Sequence, residues 1–195
     1  MTLLEELRVP YKLKEVERKG NVQDRLETTA EHTFSAIWLA EYFLKKHQEL
    51  DELKVMKLIL YHDFCEIHAG DHFVLDKKKF GEKETLENEA IKRLLNEVPT
   101  EMRNDLRTAW EEYSVGKTKE ARFAKAIDAL DAVIQVSNQP GAWEKYGFTE
   151  KKLREYKEPQ FKGFPIIMDF FNELIEELKK KKIIPRGRQK GLERL

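Results

Sequence analysis

Apolar residues recur at three- and four-residue steps along most of the chain, which is the period of an amphipathic helix. The clearest such helix begins at Thr28 or Thr29, which can cap it, and carries Phe34, Ile37, Ala40, Phe43 and Leu44. Similar patterns occupy residues 2–8, 52–69, 82–98, 101–113, 118–137 and 165–178. Residues 12–26 are charged and irregular and are expected to form an ordered loop, and no stretch has the alternation of a strand. The pattern therefore predicts an all-α fold.

Length and charge narrow the class of protein. The 195 residues suffice for one domain with a real core, so we predict a single domain over residues 1–182 and a basic C-terminal tail over 183–195. The 36 basic residues balance the 36 acidic ones, which gives no support for a nucleic-acid partner or an acidic membrane partner. No uncharged apolar stretch approaches the roughly 20 residues that span a bilayer. The single cysteine, Cys65, excludes an internal disulfide, and no signal peptide is evident, so we expect a cytoplasmic protein.

One short stretch concentrates candidate chemistry. It sets His62 beside Asp63, adds Glu66 one helical turn later, and places Asp71 directly after Gly70. We expect this stretch to be the end of a helix that Gly70 stops with a positive φ. His62 and Glu66, four residues apart, would then share a helix face.

Two further residues suggest a metal site. His32 begins one apolar helix, and Asp128 lies in the middle of another, where an unpaired buried carboxylate would be unfavourable. With His62 and Asp63 they supply two imidazoles and two carboxylates, which suit a divalent first-row cation. Taken singly, each residue has a plainer interpretation: a hydrogen-bonded core histidine, or an aspartate paired on the surface with Lys125.

The ordered set of motifs resembles the HD-domain superfamily of metal-dependent phosphohydrolases over about residues 12–149. The matching segments are Ala30-Glu31-His32, His62-Asp63-Phe64-Cys65-Glu66-Ile67 with Gly70-Asp71, and Lys125-Ala126-Ile127-Asp128-Ala129-Leu130. Trp143 and Gly147 are similar to a pattern in the branch of the bacterial 5′-deoxyribonucleotidases. The resemblance implies an HD-domain helical bundle around one divalent ion, held by His32, His62, Asp63 and Asp128. That ion would be Co²⁺ or Mn²⁺, with Mg²⁺, Zn²⁺, Fe²⁺ and Ni²⁺ also open.

The resemblance also implies roles for three other residues. Glu66 would position or deprotonate the attacking water, Asp71 would lie near the sugar of the substrate, and Arg18 would contact its phosphate. On its sequence context alone, Arg18 could instead form a surface ion pair with Glu17 or Asp24. The family often has a tryptophan just after this arginine, where this chain has Asn21, so the choice between ribose and deoxyribose stays open.

The resemblance implies a phosphohydrolase that removes phosphate from nucleoside 5′-monophosphates. The alternatives are an HD-type phosphodiesterase or nucleotide pyrophosphohydrolase, and a metal-stabilised nucleotide-binding regulatory module. No histidine follows His72, which argues against the second metal that the phosphodiesterases need, and Glu66 argues against a purely structural ion. Related enzymes are usually dimers, and the last helix is apolar on more than one side, so we expect a homodimer. The residues responsible are Ile166, Ile167, Phe170 and Phe171.

Overall fold

The computed structural model describes residues 1–71, 80–137 and 149–184, without the side chains of residues 80–82. The elements are α1 (Leu3–Arg8), a 3₁₀ helix (Val9–Lys14), β1 (Glu17–Val22), β2 (Arg25–Thr28), α2 (Thr29–Leu44), α3 (Glu52–Tyr61), α4 (Glu66–Ala69), α5 (Phe80–Leu94), α6 (Thr100–Val115), α7 (Lys119–Ser137), α8 (Glu150–Phe161) and α9 (Pro165–Lys180). Helices make up almost all of the regular structure, so the prediction of an all-α fold is confirmed.

The helix ends follow the local sequence signals. The Thr28 hydroxyl accepts a hydrogen bond from the backbone amide of Glu31, and the Glu31 carboxylate accepts one in return from the Thr28 amide. This reciprocal cap begins α2 one turn before His32. The Asp51 carboxylate accepts a hydrogen bond from the Lys54 amide at the start of α3, and Gly116 ends α6 with a φ of 64°. These caps fix the start or end of three helices around the core.

Helix α7 lies at the centre of the bundle. It contacts α2, α3, α6, α8 and α9, and it also contacts β1. Its side chains Phe123, Ile127 and Leu130 are completely buried. Because five helices and one strand among the described residues pack against α7, its polar residues are held where several elements meet.

A β-hairpin occupies part of the stretch that was expected to be a loop, so that prediction was wrong. Strands β1 and β2 pair antiparallel, with Glu17 opposite Thr28 and Val22 opposite Arg25. The hairpin packs on α7 at Gly20, where an added Cβ would come within 2.9 Å of the Gln135 side chain. Glycine therefore allows a close approach that ties the hairpin to the central helix.

The helix that leads into the His62-Asp63 pair stops earlier than expected. Helix α3 ends at Tyr61, and the short α4 begins at Glu66, so His62 and Glu66 do not share one continuous helix. The His62 ring contacts the Ile59 carbonyl at 2.7 Å, the acceptor that a continuing α-helix would assign to the Asp63 amide. The chain tightens there into turns with bonds between residues three apart, such as Glu66 N to Asp63 O at 3.0 Å.

Gly70 ends α4 as expected, and the start of the predicted C-terminal tail belongs to the core. Gly70 has a φ of +74° and ends α4. Ile183 and Ile184, at the start of the predicted tail, pack against the core. The Trp143 and Gly147 pattern lies outside the described residues, as do residues 185–195. Within the described ranges, no helix combines the length and the apolar character needed to cross a membrane.

Candidate active site

Three parts of the fold bring four predicted residues together. His32 lies in the first turns of α2, His62 and Asp63 in the turn after α3, and Asp128 in the middle of α7. One ligand atom from each of His32, His62 and Asp63 lies within 4.8 Å of the other two. Asp128 joins them, since its Oδ1 atom is 3.2 Å from His32 Nε2. The two imidazoles and two carboxylates therefore face one small volume.

Hydrogen bonds fix both histidine rings from behind. His32 Nδ1 donates to the Asp131 carboxylate at 2.7 Å, and His62 Nδ1 donates to the Ile59 carbonyl at 2.7 Å. The Nε2 atom of each ring is buried without a hydrogen-bond partner among the described residues. Asp63 Oδ2 nevertheless lies 3.0 Å from His62 Nε2 and 3.7 Å from His32 Nε2, outside good hydrogen-bond geometry. Two orphaned nitrogen atoms beside carboxylate oxygens are the arrangement expected at a cation site.

Asp131 was not predicted from the sequence, although a signal for it existed. It stands three residues after Asp128 in an apolar helix, and it is 4% exposed. A second buried carboxylate on the same helix face requires a partner, which here is His32. The pair orients the ring and makes Nε2 a better electron donor.

Tyr113 was also missed. Its hydroxyl donates to Asp128 Oδ2 at 2.7 Å, and its ring centroid lies 5.0 Å from that of His62. Tyr113 therefore holds one ligand candidate by a hydrogen bond and packs against another. A tyrosine in the last turns of α6 has no sequence signature that separates this role from ordinary core packing.

The acidic groups depend on nearby positive charge. Burial raises the pKa of Asp63, but His62 and Arg18 outweigh it and hold that pKa well below its usual range. Burial likewise raises the pKa of Asp128, and the closely placed His32 ring, with His62 and Arg18, outweighs burial and lowers that pKa well below its usual value. Burial and the Arg18 charge lower the pKa of His32. Asp128 and Asp131 raise it by a larger amount, so the pKa of His32 is about 10. A cation that binds His32 must therefore displace a proton, so its affinity should rise with pH.

Glu66 lies just behind the cluster. It is 8% exposed, and it accepts a hydrogen bond from the Thr29 hydroxyl at 2.7 Å. Burial and the neighbouring Asp63 charge raise the pKa of Glu66 well above its usual value. A raised pKa makes a carboxylate a stronger proton acceptor.

Arg18 extends from β1 into the acidic cluster and does not pair with Glu17 or Asp24. One of its terminal nitrogens donates to Asp63 Oδ2 at 2.9 Å and lies 3.9 Å from Glu66 Oε1. Its Nε atom lies 3.6 Å from the buried Glu27 carboxylate on β2. The hairpin that the sequence did not predict is thus what positions Arg18.

Asp71 and an open cavity complete the surroundings. Asp71 follows Gly70 at the end of α4. Burial raises its pKa, the Arg18 charge lowers it, and the Asp63 charge raises it again. A cavity of about 720 Å³ opens beside the cluster and is lined by His62, Asp63 and Asp128. Its volume is in the range of small-molecule sites.

The donor set of the cluster fits a divalent cation. Neutral imidazole and ionised carboxylate together suit Mn, Fe, Co, Ni and Zn ions. Four protein ligands leave positions for water and substrate in an octahedral ion. The orphaned Nε2 atoms and the strong acidity of Asp63 and Asp128 support this fit.

Comparisons with known proteins agree with this geometry. The model of the HD domain family matches residues 11–167. The chain belongs to the HD domain family. It is similar to the 5′-deoxynucleotidase HDDC2 of Homo sapiens, at 30% identity over 90% of this chain and 86% of that protein. The 5′-deoxynucleotidase HDDC2 of Bos taurus is 32% identical over 71% of each chain.

A solved structure of a related protein has the same fold. The predicted metal-dependent phosphohydrolase of Magnetospirillum magnetotacticum MS-1 superposes with a TM-score of 0.79 at 26% identity. The match covers 92% of this chain and 96% of that one. The predicted HD-domain bundle is therefore confirmed.

We expect loss of a metal ligand to abolish metal binding, and loss of a residue that only orients a ligand to weaken it. Asp63→Ala should abolish retention of a divalent ion, because it removes the carboxylate that lies within 3.7 Å of both Nε2 atoms. Asp131→Asn should weaken metal affinity by about 10- to 100-fold, since it removes only the charge behind His32. Elemental analysis and competition with a fluorescent chelator would measure both effects.

Asp105→Asn, on the exposed face of α6, is the matched control and should bind metal as the wild type does. One equivalent of tightly bound metal in Asp63→Ala would contradict the assignment of the cluster.

Proposed function

We propose that the chain is a metal-dependent phosphohydrolase that removes phosphate from nucleoside 5′-monophosphates. The observation that carries this proposal is the pair of buried, unpartnered Nε2 atoms that face two carboxylates at the edge of a cavity. The kinship with proteins named 5′-deoxynucleotidase supports the substrate class. This proposal places the protein in the cytoplasm, where its nucleotide substrates occur.

His32, His62, Asp63 and Asp128 hold one divalent ion in this proposal. Such an ion neutralises charge on the phosphoryl group and makes a water molecule easier to deprotonate. Mn²⁺ or Co²⁺ suits a set of two imidazoles and two carboxylates, which is intermediate between the imidazole-rich and carboxylate-rich sites of other metals.

Glu66 accepts the proton of the attacking water. Its hydrogen bond from Thr29 keeps one carboxylate oxygen directed, and its burial makes the other a better base. Arg18 lies between Glu66 and Asp63, so its guanidinium can contact a phosphoryl oxygen delivered to the cluster. Asp71, which follows Gly70 at the end of α4, contacts the sugar in this proposal.

The alternative of a two-metal phosphodiesterase needs further histidine ligands. Among the described residues, the two remaining histidines lie elsewhere: His47 packs against Phe123 and Phe164, and His68 pairs with Glu97 at 3.0 Å. These contacts favour a single ion and a phosphomonoesterase.

Phosphate release from a nucleotide panel tests the proposed reaction. Metal-free protein loaded with Mn²⁺ or Co²⁺ should release inorganic phosphate from 5′-monophosphates, and a chelator should stop it. The panel should pair each ribonucleotide with its deoxy analogue, together with a cyclic nucleotide and a triphosphate. Faster hydrolysis of the cyclic nucleotide or triphosphate would contradict the proposal.

Two variants separate chemistry from binding. Glu66→Ala should keep the metal and bind nucleotide, while its kcat should fall by about two to four orders of magnitude. Arg18→Ala should raise KM, because its donors bind a phosphoryl group that is charged in both the ground state and the transition state. Steady-state kinetics with parallel metal analysis measures both. Wild-type kcat in Glu66→Ala would exclude Glu66 as the base, and loss of its metal would make Glu66 a ligand.

A homodimer is also part of the proposal, and an exposed aromatic stripe on α2 supports it. Phe34, Trp38 and Tyr42 follow one another at four-residue steps and are 72%, 69% and 60% exposed. Phe34 belongs to the apolar pattern of α2, but it lies off the buried face, which Ala36, Ala40 and Phe43 occupy. On α9, Ile166 and Phe170 are 39% and 36% exposed, and the Phe170 ring packs against Phe43. Exposed apolar residues of this kind favour association. Ile167 and Phe171, which were also expected to contribute, are instead completely buried in the core of the chain.

Trp38→Glu should convert the dimer to a monomer, because it places a charge at the middle of the stripe. Light scattering should give twice the chain mass of 23.1 kDa for the wild type and the single chain mass for the variant. Tyr11→Glu is the matched control, since Tyr11 is 62% exposed outside the stripe. A wild-type mass of one chain at high concentration would contradict the dimer.

A further inference from the structure

A lysine on α8 lies in the cavity beside the acidic cluster. Lys157 is partly buried and lines the same cavity as His62, Asp63 and Asp128. The sequence motifs of the family do not include this residue, because α8 follows the last of them. Its position is set by the packing of α8 against α7, the helix that carries Asp128.

Lys157 differs from Lys83 and Lys125, which also line the cavity, in having no hydrogen-bond or ion-pair partner among the described residues. Lys83 pairs with Glu87 at 3.3 Å, and Lys125 donates to the Ser114 carbonyl at 3.3 Å. Within the described residues, the Lys157 ammonium makes no hydrogen bond and no ion pair. Burial lowers the pKa of Lys157, so holding its charge in the cavity is unfavourable without a ligand.

Lys157 and Glu66 are held at different places around the cluster. Glu66 is buried, accepts a hydrogen bond from Thr29 on α2, and does not line the cavity. Lys157 lines the cavity together with Asp128. In phosphoryl transfer the attacking and leaving oxygens are roughly in line on opposite sides of phosphorus. With Glu66 as the base, the cavity side is therefore available for a group that serves the leaving oxygen.

We infer that Lys157 is a catalytic residue that donates a hydrogen bond, and then a proton, to the ester oxygen leaving with the nucleoside. This inference rests on the proposed phosphomonoesterase reaction. Glu66 takes a proton from water as the new bond to phosphorus forms. The bond from phosphorus to the ester oxygen breaks with its electron pair on oxygen, and the Lys157 proton completes the 5′-hydroxyl. Glu66 and Lys157 then regain their starting states by proton exchange with solvent.

A change of leaving atom tests this role directly. In a 5′-thio analogue, sulfur replaces the bridging oxygen, and a thiol with a pKa of about 8.5 leaves as the thiolate without a proton. Lys157→Met should lower kcat for the oxygen ester by about two to four orders of magnitude. The same variant should change kcat for the sulfur ester by less than about threefold, because that bond breaks without a proton donor.

Lys151→Met is the matched control, because the Lys151 side chain lies on the same helix and is 83% exposed. Its kcat should equal that of the wild type on both esters. Equal losses of Lys157→Met on the two esters would overturn the inference in favour of phosphate binding or packing. Full activity of Lys157→Met on the oxygen ester would also overturn it. Phosphate release by the wild type keeps the proposed function in place in both cases, whereas its absence would overturn both.

Discussion

The site depends on two hydrogen bonds that hold two imidazole rings from behind. Asp131 fixes His32 and the Ile59 carbonyl fixes His62, so both Nε2 atoms face the same buried volume. Without these bonds the rings could turn, and the nitrogen atoms would no longer converge. The bonds also explain two departures from regular structure: a buried carboxylate on an apolar helix, and a helix that stops at Tyr61.

Positive charge is the second requirement of this arrangement. Asp63, Glu66 and Asp128 lie close together in a poorly solvated region, which would be strongly unfavourable without compensation. Arg18 and a protonated His32 supply part of that compensation in the chain alone. The proposed ion supplies it in the working enzyme, and His32 gives up its proton when the ion binds. Burial and the Asp63 charge make an ionised Glu66 unfavourable in the fold, and the raised pKa that results makes this carboxylate a stronger base.

The sequence was sufficient for the helices and for the four clustered residues, because helical periodicity and capping are local signals and the motifs keep a fixed order. It was insufficient for the hairpin, whose charged strands are stabilised by pairing with each other and by packing at Gly20 on α7. The roles of Asp131 and Tyr113 were not predicted, because their partners, His32 and Asp128, are distant in sequence. The exposure of Phe34 could not be predicted either, because helix periodicity alone does not tell which of two apolar faces is covered.

Anomalous diffraction from crystals soaked in Mn²⁺ tests the central claim most directly. The account predicts one strong peak, bonded to Nε2 of His32 and of His62 and to carboxylate oxygens of Asp63 and Asp128. Metal–nitrogen and metal–oxygen distances of about 2.0–2.3 Å should accompany it, and Asp131 should remain bonded to His32 Nδ1. A peak bonded to Nδ1 of either ring, or no peak at the cluster, would contradict the account.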